Sequence, residues 1–354
     1  MPISDQSIAF LKQMLTTPSP SGYEQQIQRV VRSYVEPFAQ AVTTDVHGNV
    51  AASIGGSAEP RVMLAGHCDQ IGLLVTHIDD EGFVYSTTVG GWDPQQLIGQ
   101  RMTIWGKDGP VAAIIARKAI HLLDENERKQ VVKTKELWLD IGAANKEEVQ
   151  ALVRVGDPVT LELGYRPMLN NFANAPGMDD SVGVWVVMEA LRRASESTLN
   201  CSLHSVSTVQ EEIGLRGAKT SAYGIDPHVG IAVDVTHATD CPTIDKRDRG
   251  DIRLGDGPVI FRGPNMNPVV VDRLIGVCEE KNIPYQLSAI GRPASNDANT
   301  IQVSRTGVAT GLVAIPNRYM HSAVEMISLD DLDHAAELLA QFAMRISSGD
   351  DFTP

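Results

Sequence analysis

SLHSVSTVQEEIGLRGA (202–218) opens as a β-branched apolar run of strand length and ends on two adjacent carboxylates, Glu211 and Glu212. A strand buried on both faces reads as a continuous apolar run, and its parallel neighbours read the same way. Three further runs match it: RVMLAG (61–66), VGIAVDV (229–235) and GVATGLVAI (307–315). Helical patterns lie before, between and after them. Ile27, Val30, Val31, Tyr34 and Val35 recur at helical spacing behind Ser21 and Glu24, which together read as a capping box. Leu332, Ala335, Ala336, Leu339, Phe342, Ala343 and Ile346 share one helix face near the carboxy terminus, beyond which only the last few residues read as disordered. Apolar strands alternating with helices predict an α/β layer.

The middle of the chain has a different rhythm. LLVTHIDDEGFVYSTTV (73–89) and RMTIWGKDGPVAAIIARKA (101–119) read as hairpins around Asp80–Gly82 and Gly106–Gly109. LWLDIGA (137–143) and PVTLEL (158–163) add strands, with one short helix near Lys146 to Leu152. The expected organisation is an α/β domain formed by 1–72 and 164–354, with a small all-β domain inserted at 73–163.

Composition narrows the function classes. Lys and Arg number 30 against 44 Asp and Glu, a net charge of −14. That balance disfavours nucleic acid, whose binding depends on clustered cations. No stretch approaches the roughly 20 apolar residues of a spanning helix, so no membrane partner is expected. The amino terminus shows no secretory signal, and the four cysteines are scattered. Both point to a cytoplasmic setting.

In an open α/β sheet, ligands bind at the carboxyl ends of the strands. RVMLAG delivers His67 there, the 202–209 run delivers Glu211 and Glu212, VGIAV delivers Asp234, and the last run leads to Arg318, Tyr319 and His321. Asp179 and Asp180 stand where the apolar helical run SVGVWVVMEAL begins. Imidazoles mixed with carboxylates suit Zn²⁺, Co²⁺ or Mn²⁺ better than Ca²⁺ or Mg²⁺. Five candidate ligands (His67, Asp179, Glu212, Asp234 and His321) exceed the needs of one ion and suit a pair sharing a carboxylate. Glu211 is then free to act as general base.

Taken in order, GHCDQIG (66–72), GMDDSVG (177–183), QEEIGLRGA (210–218), the Asp of VDVT (233–236) and PNRYMHSAVE (316–325) resemble the M42 metallo-aminopeptidases, the glutamyl and deblocking aminopeptidase group. The resemblance covers nearly the whole chain. It implies a three-layer zinc-peptidase-type catalytic domain with a PDZ-like β insert, and release of the amino-terminal residue from short peptides. It also implies two divalent metal ions per subunit: His67 and Asp234 on one, Glu212 and His321 on the other, Asp179 bridging. Glu211 would be the base, Asp69 would orient the His67 imidazole, and the Asp179–Asp180 peptide would be cis. Dimers contacting through the insert and assembling into a tetrahedral dodecamer follow from the same likeness. The chain departs from the family pattern at Gln70, at Ser181 and over Asn174–Gly177, beside the site but on no ligand. The alternatives weighed are a dinuclear deacylase or carboxypeptidase of the same clan, an endoglucanase-type glycosidase and a non-catalytic peptide-binding scaffold. Asp256 and nearby acids hint at a basic first residue in the substrate.

Overall fold

A computed structural model describes residues 3–354. Its strands, in chain order, begin with β1 (Ala41–Thr44), β2 (Val50–Ile54) and β3 (Arg61–His67). Then come β4 (Gly72–Ile78), β5 (Val84–Val89), β6 (Arg101–Gly106), β7 (Gly109–Ala116), β8 (Trp138–Asp140) and β9 (Pro158–Leu161). The rest are β10 (Arg166–Pro167), β11 (Phe172–Asn174), β12 (Ser202–Thr208), β13 (Val229–His237), β14 (Val259–Arg262), β15 (Gln286–Ala289), β16 (Ala309–Asn317) and β17 (Met326–Ser328).

The four apolar runs form the centre of an eight-stranded mixed sheet ordered β1-β2-β12-β3-β13-β16-β14-β15. Strands β12, β3, β13 and β16 are mutually parallel, with Thr208 opposite His67 and Asp234 opposite Ala314. Helices cover both faces, which is why β3, β13 and β16 read as near-continuous apolar runs, while β12 buries the small polar side chains of Ser202, Ser205, Ser207 and Thr208. The Met178–Ser195 helix lies on one face: a Cβ at Gly66 would meet the Gly183 backbone at 2.5 Å. That close approach sets the start of the helix, with Asp179, beside the end of β3. On the opposite face, Gly230 makes room for Ile301 of the Asp297–Gln302 helix.

Both expected hairpins are present as β4–β5 and β6–β7. Their strands join β8 and β9 in a closed barrel ordered β4-β5-β8-β7-β6-β9, with its own apolar core of Leu73, Val75, Val84, Ile104, Leu139 and Val159 among others. A small three-stranded sheet, β10-β11-β17, adjoins the main one.

Two local expectations need correction. Ser21 and Glu24 do not close a capping box. The Ser21 hydroxyl donates to Asp69 Oδ2 at 2.6 Å, and Glu24 accepts the N–H groups of Gly22 and Gln210 at 2.7 and 3.2 Å. A buried carboxylate on a neighbouring loop outcompetes the local cap. The carboxy terminus is also anchored: Phe352 is buried, Arg273 stacks over its ring, and its carbonyl accepts from Asn267 at 2.8 Å. No described helix is long and apolar enough to cross a membrane.

Candidate active site

The carboxyl ends of the parallel strands bring all seven predicted site residues into one cluster. His67 ends β3, Asp234 lies in β13, Glu211 and Glu212 follow β12, His321 follows β16, and Asp179 heads the Met178–Ser195 helix. The two carboxylate oxygens of Asp179 divide between the imidazoles. Oδ1 lies 3.2 Å from His67 Nε2, and Oδ2 lies 3.2 Å from His321 Nε2. His67 Nε2 also faces Glu211 at 3.8 Å and Asp234 at 4.0 Å, while His321 Nε2 faces Glu212 at 3.5 Å.

Each imidazole is turned by a backbone carbonyl. His67 Nδ1 lies 3.0 Å from the Asp69 carbonyl and His321 Nδ1 lies 2.7 Å from the Gly91 carbonyl. Only an N–H can satisfy a carbonyl there, so hydrogen-bond geometry assigns a proton to Nδ1 of each ring and leaves each Nε2 facing Asp179, where it donates to the carboxylate while protonated and can serve as a metal ligand once deprotonated. Gly91 belongs to the connection after β5, so the barrel completes the site. At Gly90 (φ +77°) a Cβ would lie 3.3 Å from Glu212 Oε2 and 2.6 Å from Ile71, so the chain passes only as glycine.

Asp69 differs in detail from its expected part. Its Oδ1 stands 3.6 Å from His67 Nδ1, beyond hydrogen-bond range, and it is the main-chain carbonyl that takes the ring N–H. The carboxylate instead accepts the backbone N–H of Glu211 at 2.9 Å and of Glu212 at 3.2 Å. It therefore fixes the loop that carries the candidate base. Asp180 similarly accepts the His67 backbone N–H at 3.1 Å and that of Gly183 at 3.0 Å.

The electrostatics call for cations. Burial pushes the Glu211 carboxyl up to about 10, with Asp234 adding and the His67 charge opposing. Burial likewise raises Glu212 to about 8, helped by Asp179, and Asp234 to about 7, again helped by Asp179. His321 is raised to about 9, chiefly by its contact with Asp179. Asp179 alone is held low: burial opposes its charge, but the contacts with His321 and His67 prevail. Several buried carboxylates sharing two imidazoles and no Lys or Arg are costly unless a cation is bound among them. The donors fit: His67, Glu211 and Asp234 form one group, and His67, Asp179 and Glu212 another, with ligand atoms within 4.8 Å of one another.

Some neighbours could not be read from the sequence. Glu325 sends its two carboxylate oxygens to the backbone N–H groups of Asp179 and His321. Asp297 is buried, accepting from Thr208 at 2.6 Å with its other oxygen unpartnered. Of the strand-end residues noted in the sequence, Arg318 is committed to Asp240 at 2.6 Å, and Tyr319 is exposed. His237, the last residue of β13, also lines the cavity.

That cavity, about 870 Å³, opens beside His67, Asp179, Glu211, Glu212, Asp234 and His321. Its lining also includes Arg247, Arg249 and Arg292 with a single added carboxylate, Asp248. Arg247 is paired with Asp245 at 2.5 Å, whereas Arg249 and Arg292 have no carboxylate partner among the described residues. Asp256 is not a lining residue. Its turn is tied down by Asp331, which accepts from Gly255 and Gly257.

The chain matches the family model described as M42 glutamyl aminopeptidase over residues 48–338. It is 35% identical to a lysyl aminopeptidase of Pyrococcus furiosus over 349 residues, covering 97% of this chain and 98% of that one. A TET aminopeptidase structure from a marine-sediment Thaumarchaeota archaeon superposes with a TM-score of 0.93 at 34% identity, covering 97% of each chain. A Pyrococcus horikoshii TET1 peptidase, described as assembling into a tetrahedron or a large octahedral shell, superposes with a TM-score of 0.85 at 29% identity, covering 96% of this chain and 100% of that one. With the strand-end cluster and a match spanning most of its length, the chain belongs to the M42 glutamyl aminopeptidase family.

Proposed function

We propose that this protein is a dinuclear metal-dependent aminopeptidase that removes the first residue of short peptides, with Glu211 as general base. The observation that carries the reading is Asp179, whose two oxygens each face a different imidazole at 3.2 Å, as a bridging carboxylate must. His67 and Asp234 would hold one divalent ion, Glu212 and His321 the other, and Asp179 both. Bound there, Zn²⁺, Co²⁺ or Mn²⁺ supplies Lewis acidity and acidifies water. Glu211 accepts the proton of the attacking water and passes it to the departing amine as the peptide C–N bond breaks. Asp69 keeps that carboxylate in place through the Glu211 and Glu212 backbone.

The arginines in the cavity lining support a charge preference. Metal ions would neutralise the ligand carboxylates, and two guanidinium groups then face one carboxylate, favouring a first residue with an acidic side chain. Residues 73–163, with their separate core, serve as the inserted domain, PDZ-like in the family. The inserted domain supplies dimer contacts within a tetrahedral homo-oligomer like those described for the TET relatives. Four free cysteines suit a cytoplasmic setting.

The test strips the protein of metal, restores Zn²⁺, Co²⁺ or Mn²⁺ in turn, and assays aminoacyl p-nitroanilides alongside the same peptides with blocked amino termini. Hydrolysis of free-amine substrates only, and only after metal is restored, supports the reading. Equal cleavage of blocked peptides would point to the deacylase or endopeptidase class instead.

A further inference from the structure

Three carboxylates that are not candidate ligands grip the backbone of candidate ligands and of the candidate base. Asp180 holds His67, Asp69 holds Glu211 and Glu212, and Glu325 holds Asp179 and His321. Glu325 spans the longest gap in sequence. Oε2 accepts the Asp179 N–H at 2.9 Å, and Oε1 accepts the His321 N–H at 2.8 Å. Its own carbonyl accepts from Ala175 N at 3.1 Å and Asn174 Nδ2 at 2.8 Å, tying down the segment that leads into Asp179.

The side chain is 2% exposed and pairs with no Lys or Arg among the described residues. Burying a carboxylate without a strong cationic partner is expensive, and nothing in local folding requires it here. His321 lies at φ +58°, outside the helical and extended regions, on a turn that has little regular structure of its own. The fork geometry fits the position: two acceptor oxygens meet two convergent N–H donors that come from elements far apart in the chain.

Resting on the dinuclear reading given above, we propose that Glu325 is a positioning residue that sets the distance between Asp179 and His321, and so the affinity of the site formed by Glu212, His321 and the bridging carboxylate. It touches neither substrate nor ion. Its effect is to keep the His321 Nε2 and Asp179 Oδ2 atoms at one spacing before any ion arrives.

E325Q tests this with almost no change of volume. An amide offers one oxygen and an NH₂ group, so whichever way it turns, one of the two N–H donors faces another donor. Metal-stripped wild type and E325Q are titrated with Co²⁺ by calorimetry and visible absorption, with urea unfolding of the stripped proteins as the control for folding. The expected result is a first binding step close to wild type and a second weakened by roughly 10–100-fold, the usual effect of removing a partner that orients ligands. Activity should fall at limiting Co²⁺ and recover as Co²⁺ is raised, which a merely structural role would not produce. E325D, whose shorter fork can reach only one N–H, should show the same loss with the charge kept; it stands in if E325Q does not fold. Two unchanged binding steps in either variant would overturn the proposal. So would equal weakening of both steps together with a lower urea midpoint. If wild type itself takes up a single ion, the dinuclear reading fails, and unchanged affinity for that ion in E325Q overturns the role of Glu325.

Discussion

Stripping the metal from this protein should reverse the usual sense of its pH stability. Glu212 is raised to about 8, Glu211 to about 10 and His321 to about 9 in the folded, metal-free chain. In the unfolded chain, carboxyls titrate near ~4 and imidazole near ~6.5. Between about pH 6.5 and 8.5 the folded state therefore binds more protons than the unfolded one. Stability is highest on the acid side of that window and falls as pH rises through the folded-state values. Asp179, held low, acts in the opposite sense, but its contribution is lost only in strong acid. Taking one net extra proton as the lower bound, the slope is at least about 1.4 kcal/mol per pH unit, and the loss across the window at least about 3 kcal/mol. A chain of 354 residues has an unfolding entropy of about 0.7 kcal/mol per degree, so Tm should drop by at least about 4 °C. The assay is differential scanning calorimetry in chelator at several pH values, repeated after Zn²⁺ is restored. Zn²⁺ should raise Tm and abolish the downward slope, because bound cations displace those protons. A metal-free Tm that stays level or climbs between pH 6.5 and 8.5 would refute the reasoning.

Two substitutions separate the chemistry from the fit of the substrate. E211Q should lower kcat by at least ~10²-fold, the scale of a lost general base, with metal content unchanged by elemental analysis; wild-type kcat in that variant removes Glu211 from the mechanism. In the cavity lining, R249A and R292A should each reduce kcat/KM for glutamyl p-nitroanilide by about tenfold, as expected for a lost charge-assisted contact, while the leucyl substrate is unaffected. The p-nitroanilides carry no carboxyl terminus, so the effect reports the first side chain alone. Preference for the lysyl substrate in wild type would contradict the assignment of these arginines.

The fold was legible where burial dictates composition. Four apolar runs sit at the centre of the sheet because helices close both faces, and each run ends in a polar residue because that edge faces the cavity. This made His67, Glu211, Glu212, Asp234 and His321 readable one strand at a time. The supporting contacts were not readable, because each depends on segments that meet only in the folded chain. Ser21 and Glu24 have helix-cap spacing, yet they serve Asp69 and Gln210 across the molecule. Gly91 reaches His321 over 230 residues, and nothing near either residue signals the contact. Glu325 lies within a motif already noted, but its second partner, Asp179, lies 146 residues away. The acidic residues around Asp256 suggested a basic substrate only because their place relative to the cavity cannot be inferred from order along the chain.

The central claim is that His67, Asp179, Glu212, Asp234 and His321 hold two ions with one carboxylate between them. Crystals of the Zn²⁺-loaded protein, measured on either side of the zinc absorption edge, test it most directly. Two anomalous peaks per chain, one beside His67 and Asp234 and one beside Glu212 and His321, each touching a different oxygen of Asp179, are the predicted result. A single peak, or two peaks that leave Asp179 bound to only one of them, would contradict it.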